Sequence, residues 1–359
     1  MNPLYPLRLR PALKEKIWGS RKLSPFFADR AADQAPVGEA WYTFEEAVID
    51  NGPLAGRSLL DVMRELGPYL LGDAHTPRDL VRRSANQTDP HEAARPYFPV
   101  LTKLLFVGDV LSVQVHPSDA YALENEGGPG KTEMWYIVDA EPGAAVALGL
   151  TEKLPQERLI EAARSGEIEE YLKWEPVRTG DVVFVPPGLL HTMGKGLTIC
   201  EIQQNSDLTY RFFDFGRPGP DGKPRALHVH EAAAVMLDDP WPGPPPRIEL
   251  HHDHVTRELL AGCPYFASEL LSWDGAFQFE PNPLHFQILI MLAGEGTLAG
   301  EPYRPGDGFL IPAHAEAFEI QPSLPSRALL AYEPNLEHLR EATRQAGASA
   351  EQIARALMD

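Results

Sequence analysis

The chain is 359 residues long and carries a formal net charge of −19, from 51 acidic against 32 basic side chains. A polyanion of this size repels nucleic-acid backbones and anionic membranes, so neither is an expected partner, and an anionic ligand would need a local basic pocket against that background. The length allows two or three domains, and 35 Pro with 29 Gly suit many short strands and turns better than a helix bundle.

Residues 1–57 hold short extended pieces broken by turns. Ile17-Trp18-Gly19 and Glu39-Ala40-Trp41 read as strands on the outside of a barrel. The start, MNPLYPLRLRPALKEKIWGS, mixes Pro and charge without a long apolar core, so it does not read as a signal peptide. From Ser58 the period changes: Leu59, Leu60, Met63, Leu66, Leu70 and Leu71 recur at three and four, which predicts an amphipathic helix with Ser58 as N-cap. Residues 74–95 are polar and Arg-rich, a solvated surface insertion with a lid as the competing reading. VLTKLLFV then leads back into the barrel.

Chemistry begins in VGDVLSVQVHP, where Gln114 and His116 stand two residues apart and share one strand face. A short helix over Ala120–Glu126 and the loop GGPGKTE follow, and Glu133 opens the strand EMWYIV. A strand is expected over Ala145–Leu150 and helical spacing over Pro155–Trp174. DVVFVPPGLLH is the pivotal stretch: Val182–Val185 form one buried strand, and Gly188 lets the chain reverse so that His191 points inward. One amide, two imidazoles and one carboxylate on otherwise apolar strands are expensive to bury unpaired. Together Gln114, His116, Glu133 and His191 suit a divalent metal with an open water position.

Downstream come a strand over Leu197–Ile202, the polar QQNSDLTYR, the turn GRPGPDG and a short helix within Pro224–Leu237. His228, His230 and Glu231 lead into that Ala-rich helix and are set aside as ligands. DDPWPGPPPR reads as a linker, and HHDHV as a polar strand or loop rather than a metal site. Strands recur from Tyr265, and GDGFLIPAHAEA repeats the frame of GDVVFVPPGLLH. Gly306 matches Gly180 and Pro312 matches Pro186, while His314 falls on Gly188 and Ala317 on His191, which reads as a second copy that has lost its site. Two C-terminal helices follow, the second opened by a capping box of Ser349 and Gln352. The longest apolar stretch, Phe286–Ala293, is too short to cross a bilayer, and Cys200 and Cys263 sit in apolar contexts that read as buried free thiols, with a single disulfide as the unneeded alternative; a cytoplasmic location is expected.

These readings make a mainly β chain of two barrels, the second degenerate, with helical insertions; the two motifs of the first resemble those of the cupins, which implies jelly-roll barrels. The expected organisation is a catalytic metal-binding domain of residues 1–57 and 96–237, a helical insertion over 58–95, a Pro-rich linker over 238–249, a second barrel over 250–334 and helices over 335–359. The motifs LSVQVHP, GKTEMWYI, PPGLLHTMGKG and EIQQNSDLTYRFFDFGR together resemble the type I phosphomannose isomerases, a family within the cupins, with Lys195 replacing the polar residue that closes the general cupin motif. That resemblance implies an aldose–ketose isomerase that interconverts mannose 6-phosphate and fructose 6-phosphate through an enediol(ate), with one Zn(II) per chain and a sugar phosphate as its substrate. It implies Gln114, His116, Glu133 and His191 as metal ligands, Arg211 and Lys131 as catalytic residues, and Ser112 with Lys131 and Arg211 against substrate. Two His and one carboxylate also fit an Fe(II) cupin dioxygenase, and a non-catalytic sugar-binding bicupin is a further alternative. Gln as fourth ligand and the two basic residues favour the isomerase. No feature of the sequence fixes an oligomeric state.

Overall fold

The structure is a computed structural model that describes residues 4–30, 34–73, 97–219, 221–250 and 255–359. The expected insertion over 74–95 and the histidine-rich residues 251–254 lie outside the described residues. Four antiparallel sheets dominate. In the first half, a six-stranded sheet runs in the order Val182–Val185, Glu133–Ala140, Leu197–Gln204, Val100–Val107, Ala12–Ser20, Val37–Trp41. A five-stranded sheet faces it, with Val113–Val115 and His191–Met193 side by side.

Alternation along the strands decides what each sheet face buries. On Glu133–Ala140, Trp135 and Ile137 join Val183, Val185, Val146, Leu148 and Met193 in the core between these two sheets. Met134 and Tyr136 point the other way. There they meet Val182, Phe184, Cys200 and Ile202 of their own sheet, and Leu270, Ile288, Ile290, Leu310 and Leu329 of the second half. The two large sheets therefore pack back to back through one continuous apolar layer. Each fully buried Leu, Ile or Phe in it contributes roughly 1.5–3 kcal/mol relative to exposure. Cys200 and Cys263 are both buried free thiols. The helix Val229–Val235 and the helix Gln156–Ser165 cover the outer face of the five-stranded sheet, through Ala232, Leu159, Ala162 and Ala163.

The second half repeats the plan. An eight-stranded sheet faces a four-stranded one around Trp273, Phe277, Leu289, Phe309 and Phe318. The C-terminal helices Leu336–Gln345 and Ala350–Ala356 flank it, and the capping box at Ser349 and Gln352 forms with both of its bonds. Residues 1–57 are divided between the halves. Ala12–Ser20 and Val37–Trp41 join the six-stranded sheet, whereas Leu7–Arg10 pairs with Gly308–Leu310 and with Val48–Ile49 in the eight-stranded one. The Pro-rich stretch docks on the first barrel: Leu237 N–H donates to the Gly188 carbonyl at 2.9 Å and Trp241 Nε1 to the Phe184 carbonyl at 3.1 Å.

Three local expectations change. The helix read from Ser58 to Leu71 is two, Leu59–Leu66 and Pro68–Leu71, with Ser58 capping the first at Asp61 N. Pro68 cannot continue a helix because it lacks an N–H and its ring strikes the preceding turn, so it starts a new one after Gly67. Helical spacing over Pro155–Trp174 is two helices, Gln156–Ser165 closed by a left-handed Gly166 and Ile168–Tyr171 after it, and the last of the range belongs to the strand Leu172–Pro176 paired with Ala145–Leu150. Finally, the strands placed outside the barrel by sequence carry Lys16, Trp18 and Glu39 into its pocket, and Trp18 is buried.

Gly188 combines a left-handed backbone with a close approach of its neighbours. Its φ is +84°, and an added Cβ would lie 2.5 Å from Leu237 Cγ and 2.8 Å from the Val235 carbonyl oxygen. Gly188→Ala therefore combines a left-handed penalty of roughly 1–2 kcal/mol with an overpacking cost of roughly 1–3 kcal/mol. The expected result is a melting temperature several degrees lower together with reduced metal occupancy, because the same turn places His191. Thermal denaturation and metal content of the purified variant check it; an unchanged melt would remove the strain argument.

Candidate metal centre

Side chains from the two facing sheets converge inside the first barrel. His191 pairs across strands with Gln114 on the five-stranded sheet, while Glu133 pairs with Val185 and Gln203 on the six-stranded one. The two His motifs are joined through backbone, because Gly188 N–H donates to the His116 carbonyl at 2.8 Å. The loop before Glu133 is held just as closely. Gly130 N–H donates to Asp119 Oδ1 at 2.7 Å, and a Cβ at Gly130 would lie 2.5 Å from Asp119 N. Thr132 N–H donates to Gln204 Oε1 at 2.8 Å. Lys131 and Glu133 thus emerge from a fixed frame.

His116, Glu133 and His191 are all buried, with ligand atoms within 4.8 Å of one another. His116 Nδ1–H donates to the Leu208 carbonyl at 2.9 Å and His191 Nδ1–H to the Leu189 carbonyl at 2.8 Å. Each bond fixes a tautomer with the Nε2 lone pair turned inward. These lone pairs face the carboxylate at 3.5 Å (His116 Nε2 to Glu133 Oε2) and 3.3 Å (His191 Nε2 to Glu133 Oε1). Burial, then the Lys131 charge, pushes the His116 imidazolium well below the ordinary histidine value, and burial does the same to His191. Both rings are neutral at pH 7. Burial alone would raise the Glu133 carboxyl, but the Lys131 ammonium beside it outweighs that and holds the group well below the usual carboxylate range.

Three acceptors turned toward one point repel unless a cation lies among them. Two atoms each about 2.05 Å from a tetrahedral zinc are about 3.3 Å apart, close to the spacings found here. Gln114 completes the set: its Nε2 lies 3.3 Å from His191 Nε2, and a half-turn of the amide presents Oε1 instead. Glu133 Oε2 is buried with no well-directed hydrogen bond, although Lys131 Nζ approaches it at 2.7 Å. His116, Glu133 and His191 could therefore hold one metal ion, with Gln114 beside them. Lys131 Nζ also reaches His116 Nε2 at 3.3 Å. Burial favours a neutral lysine, but Glu133 and Glu201 reverse that and raise Lys131 above its ordinary value, so it stays protonated. The lowered pKa needed for a lysine proton shuttle is opposed by its surroundings.

A cavity of about 240 Å³ adjoins the cluster. Ser112, Gln114, Lys131 and Arg211 all line it, so every residue singled out from sequence lies in or beside one site. The Arg211 backbone N–H donates to His228 Nδ1 at 3.1 Å, which gives His228 a supporting role; His230 bonds Arg164 instead. Arg211 Nη1 donates to the Ala226 carbonyl at 3.0 Å, while its Nε is buried without a partner.

Other wall residues escaped the sequence reading. Lys103 and Glu201 are cross-strand partners, both buried, with Nζ and Oε2 at 3.2 Å. Glu201 Oε1 also accepts from Trp135 Nε1 at 3.2 Å, and that same indole N–H reaches Glu133 Oε1 at 3.1 Å. Burial raises the Glu201 carboxyl despite Lys103. The signal was present: a Lys inside VLTKLLFV and a Glu inside LTICEI break apolar runs just as Gln114 does.

Among the described residues, the second barrel lacks this cluster. Gln287 pairs with Ile311 as Glu133 pairs with Val185, so an amide stands where the carboxylate would be. One residue beyond Ala317, Phe318 stacks on Phe279 with ring centroids 5.2 Å apart. His314 turns away to Asp73 at 2.9 Å. A larger cavity, about 440 Å³, opens beside this barrel, but its charged groups neutralise each other, Arg257 pairing with Glu269 at 2.6 Å and Tyr332 donating to the same carboxylate.

No protein-family model matches the chain. The mannose-6-phosphate isomerase of Streptococcus mutans is 32% identical over 328 residues, spanning 89% of this chain and 96% of that protein. A mannose-6-phosphate isomerase of Bacillus subtilis is also 32% identical over 328 residues, 88% of this chain and 96% of its own. Among solved structures, the mannose 6-phosphate isomerase from Bacillus subtilis superposes with a TM-score of 0.78 at 30% identity, covering 91% of this chain and 99% of that one. A phosphomannose isomerase variant from Salmonella typhimurium shares the fold, with a TM-score of 0.68 at 15% identity over 92% of this chain and 99% of that one.

Glu133→Gln keeps shape and removes the one ligand charge. Its zinc affinity, measured by competition with a chromogenic chelator, should fall by more than the roughly 10- to 100-fold that losing an outer-shell partner costs. Affinity within threefold of the parent would exclude Glu133 as a ligand.

Proposed function

The chain belongs to the mannose-6-phosphate isomerase family, and from that premise we propose that Gln114, His116, Glu133 and His191 hold one Zn(II) at the site of isomerisation. The enzyme is an aldose–ketose isomerase that interconverts mannose 6-phosphate and fructose 6-phosphate. The observation that carries the assignment of the site is the buried carboxylate facing two imidazole lone pairs at 3.3 and 3.5 Å, beside a pocket lined by basic residues. Membership across nearly the whole length of isomerase relatives leaves no support for the dioxygenase or the sugar-binding bicupin. No helix among the described residues is long and apolar enough to cross a membrane. Two buried free thiols fit a reducing compartment, and we place the enzyme in the cytoplasm.

The reaction moves a proton between adjacent carbons while negative charge develops on oxygen. A bound divalent ion supplies Lewis-acid stabilisation of that charge. The chain's own groups do the rest. Lys131, beside Glu133 in the pocket wall, donates toward a substrate oxygen. Arg211 presents a buried Nε–H without a protein partner, which suits a developing oxyanion. Ser112, buried in the same wall, orients the sugar. Glu133 is committed to the metal, which leaves Glu201 as a pocket carboxyl whose raised pKa suits proton transfer.

Metal-stripped protein should be inactive in a coupled assay for fructose 6-phosphate and should recover with Zn(II); failure with every divalent metal would overturn the assignment. Arg211→Met should retain zinc and lose turnover by several hundredfold at saturating substrate, whereas turnover close to the parent would make Arg211 structural. Glu201→Gln should lower kcat by roughly 10²–10⁴-fold, the usual contribution of a general acid–base group. A kcat within a few fold of the parent would remove Glu201 from the proton path.

A further inference from the structure

The pocket holds two kinds of cation. Each of its lysines has its own carboxylate: Lys16 with Glu39 at 3.1 Å, Lys103 with Glu201 at 3.2 Å, Lys131 with Glu133 at 2.7 Å. The arginines do not. Arg211 and Arg225 line the pocket, Arg217 stands behind them, and Asp214 is the one buried carboxylate among the three. Asp109 adds only a 3.7 Å contact to Arg217 from an exposed position. Asp207 also lines the pocket, from an exposed position and without an ion pair to these arginines, so among the described residues the three guanidinium charges share one close buried carboxylate, in a chain whose net charge is −19.

Asp214 fixes how these arginines lie. Its Oδ2 accepts from Arg225 Nε at 2.6 Å and its Oδ1 from Arg225 Nη2, a two-point clamp. Oδ1 also accepts from Arg217 Nε at 3.0 Å and Nη2 at 2.9 Å, and Arg217 Nη1 is spent on the Val110 carbonyl. Arg217 is thereby a strut. Arg225, by contrast, has no hydrogen bond from Nη1 among the described residues, and it lines the pocket. A rigid guanidinium edge of this kind matches the oxygens of a phosphate in two-point geometry, which a lysine ammonium cannot do. Burial, and then the Arg225 charge, push the Arg211 guanidinium below its ordinary value, a strain that an added dianion relieves.

We propose that Arg225, aligned by Asp214 as its positioning residue, recognises the phosphate of the substrate and so selects phosphorylated over free hexose. The inference rests on the isomerase reading of the site. It divides the basic residues by task, with Arg211 and Lys131 beside the metal cluster and Arg225 on the phosphate.

The test compares parent and Arg225→Gln as zinc-loaded full-length proteins, with mannose 6-phosphate as substrate and inorganic phosphate as competitive inhibitor. Loss of a charge-assisted contact to phosphate should raise KM by about 10- to 100-fold and raise the phosphate inhibition constant in parallel. The value of kcat and the zinc content should stay near those of the parent, because Arg225 touches neither the reacting carbons nor the metal ligands. Asp214→Asn keeps the guanidinium and loosens the clamp, so its KM should rise by a smaller factor of about 3- to 10-fold; it also carries the test if Arg225→Gln does not fold. Unchanged KM and inhibition constant, or a loss confined to kcat, would overturn the proposal. No turnover by the parent with any divalent metal would instead remove the isomerase reading, so the two failures are distinct.

Discussion

The structure depends on one unfavourable juxtaposition: a fully buried carboxylate, Glu133, set against the inward lone pairs of His116 and His191. An ionised group in such a place costs several kcal/mol unless opposite charge is supplied. Here it comes from the Lys131 ammonium and, by the fit of the donor set, from a metal ion. Much of the surrounding architecture reads as a means of keeping these acceptors together. Backbone carbonyls at Leu189 and Leu208 fix both tautomers, and the Gly188 N–H locks the turn that carries one His to the carbonyl of the other.

Such precision needs a rigid frame, and duplication supplies it. The six-stranded sheet presents charge to the pocket from one face and an apolar layer to the second barrel from the other. Cys200 and Ile202 point to the shared layer, while Glu201 points into the pocket. The second barrel then has a physical role without a metal, since its large sheet covers the back of the catalytic sheet. Next to Ala317, which stands in the place of His191, Phe318 packs on Phe279.

The parts of the site that sequence made legible share one property: a polar residue on a strand otherwise made of apolar ones, close to a turn. Gln114, His116, Glu133 and His191 all meet that description, and the repeated GD-x-x-x-x-P frame exposed the second barrel. Lys103 and Glu201 meet it too, yet their meaning depends on pairing across 98 residues of chain, which only the sheet register reveals. Arg225 carried no such mark, because it follows a turn in a polar stretch and gains its role from Asp214. Helix limits were misread where Pro68 and Gly166 punctuate an apolar period that runs on past them. The division of residues 1–57 between two sheets had no local signal, since short apolar strands do not say which edge they will join.

The contrast between paired lysines and an under-compensated arginine cluster follows from what each must do. A lysine beside the metal carboxylate has to stay charged where burial favours the neutral form, and a close carboxylate secures that, as Glu133 and Glu201 do for Lys131. A guanidinium keeps its charge without such help. It can be left short of counter-charge, so that an arriving anion, rather than the protein, completes its electrostatics. In a chain with 51 acidic residues this localises anion affinity to one end of one pocket, while the remaining surface repels the same ligand. Net negative charge and a sugar-phosphate substrate are thus compatible, because selectivity comes from where carboxylates are withheld.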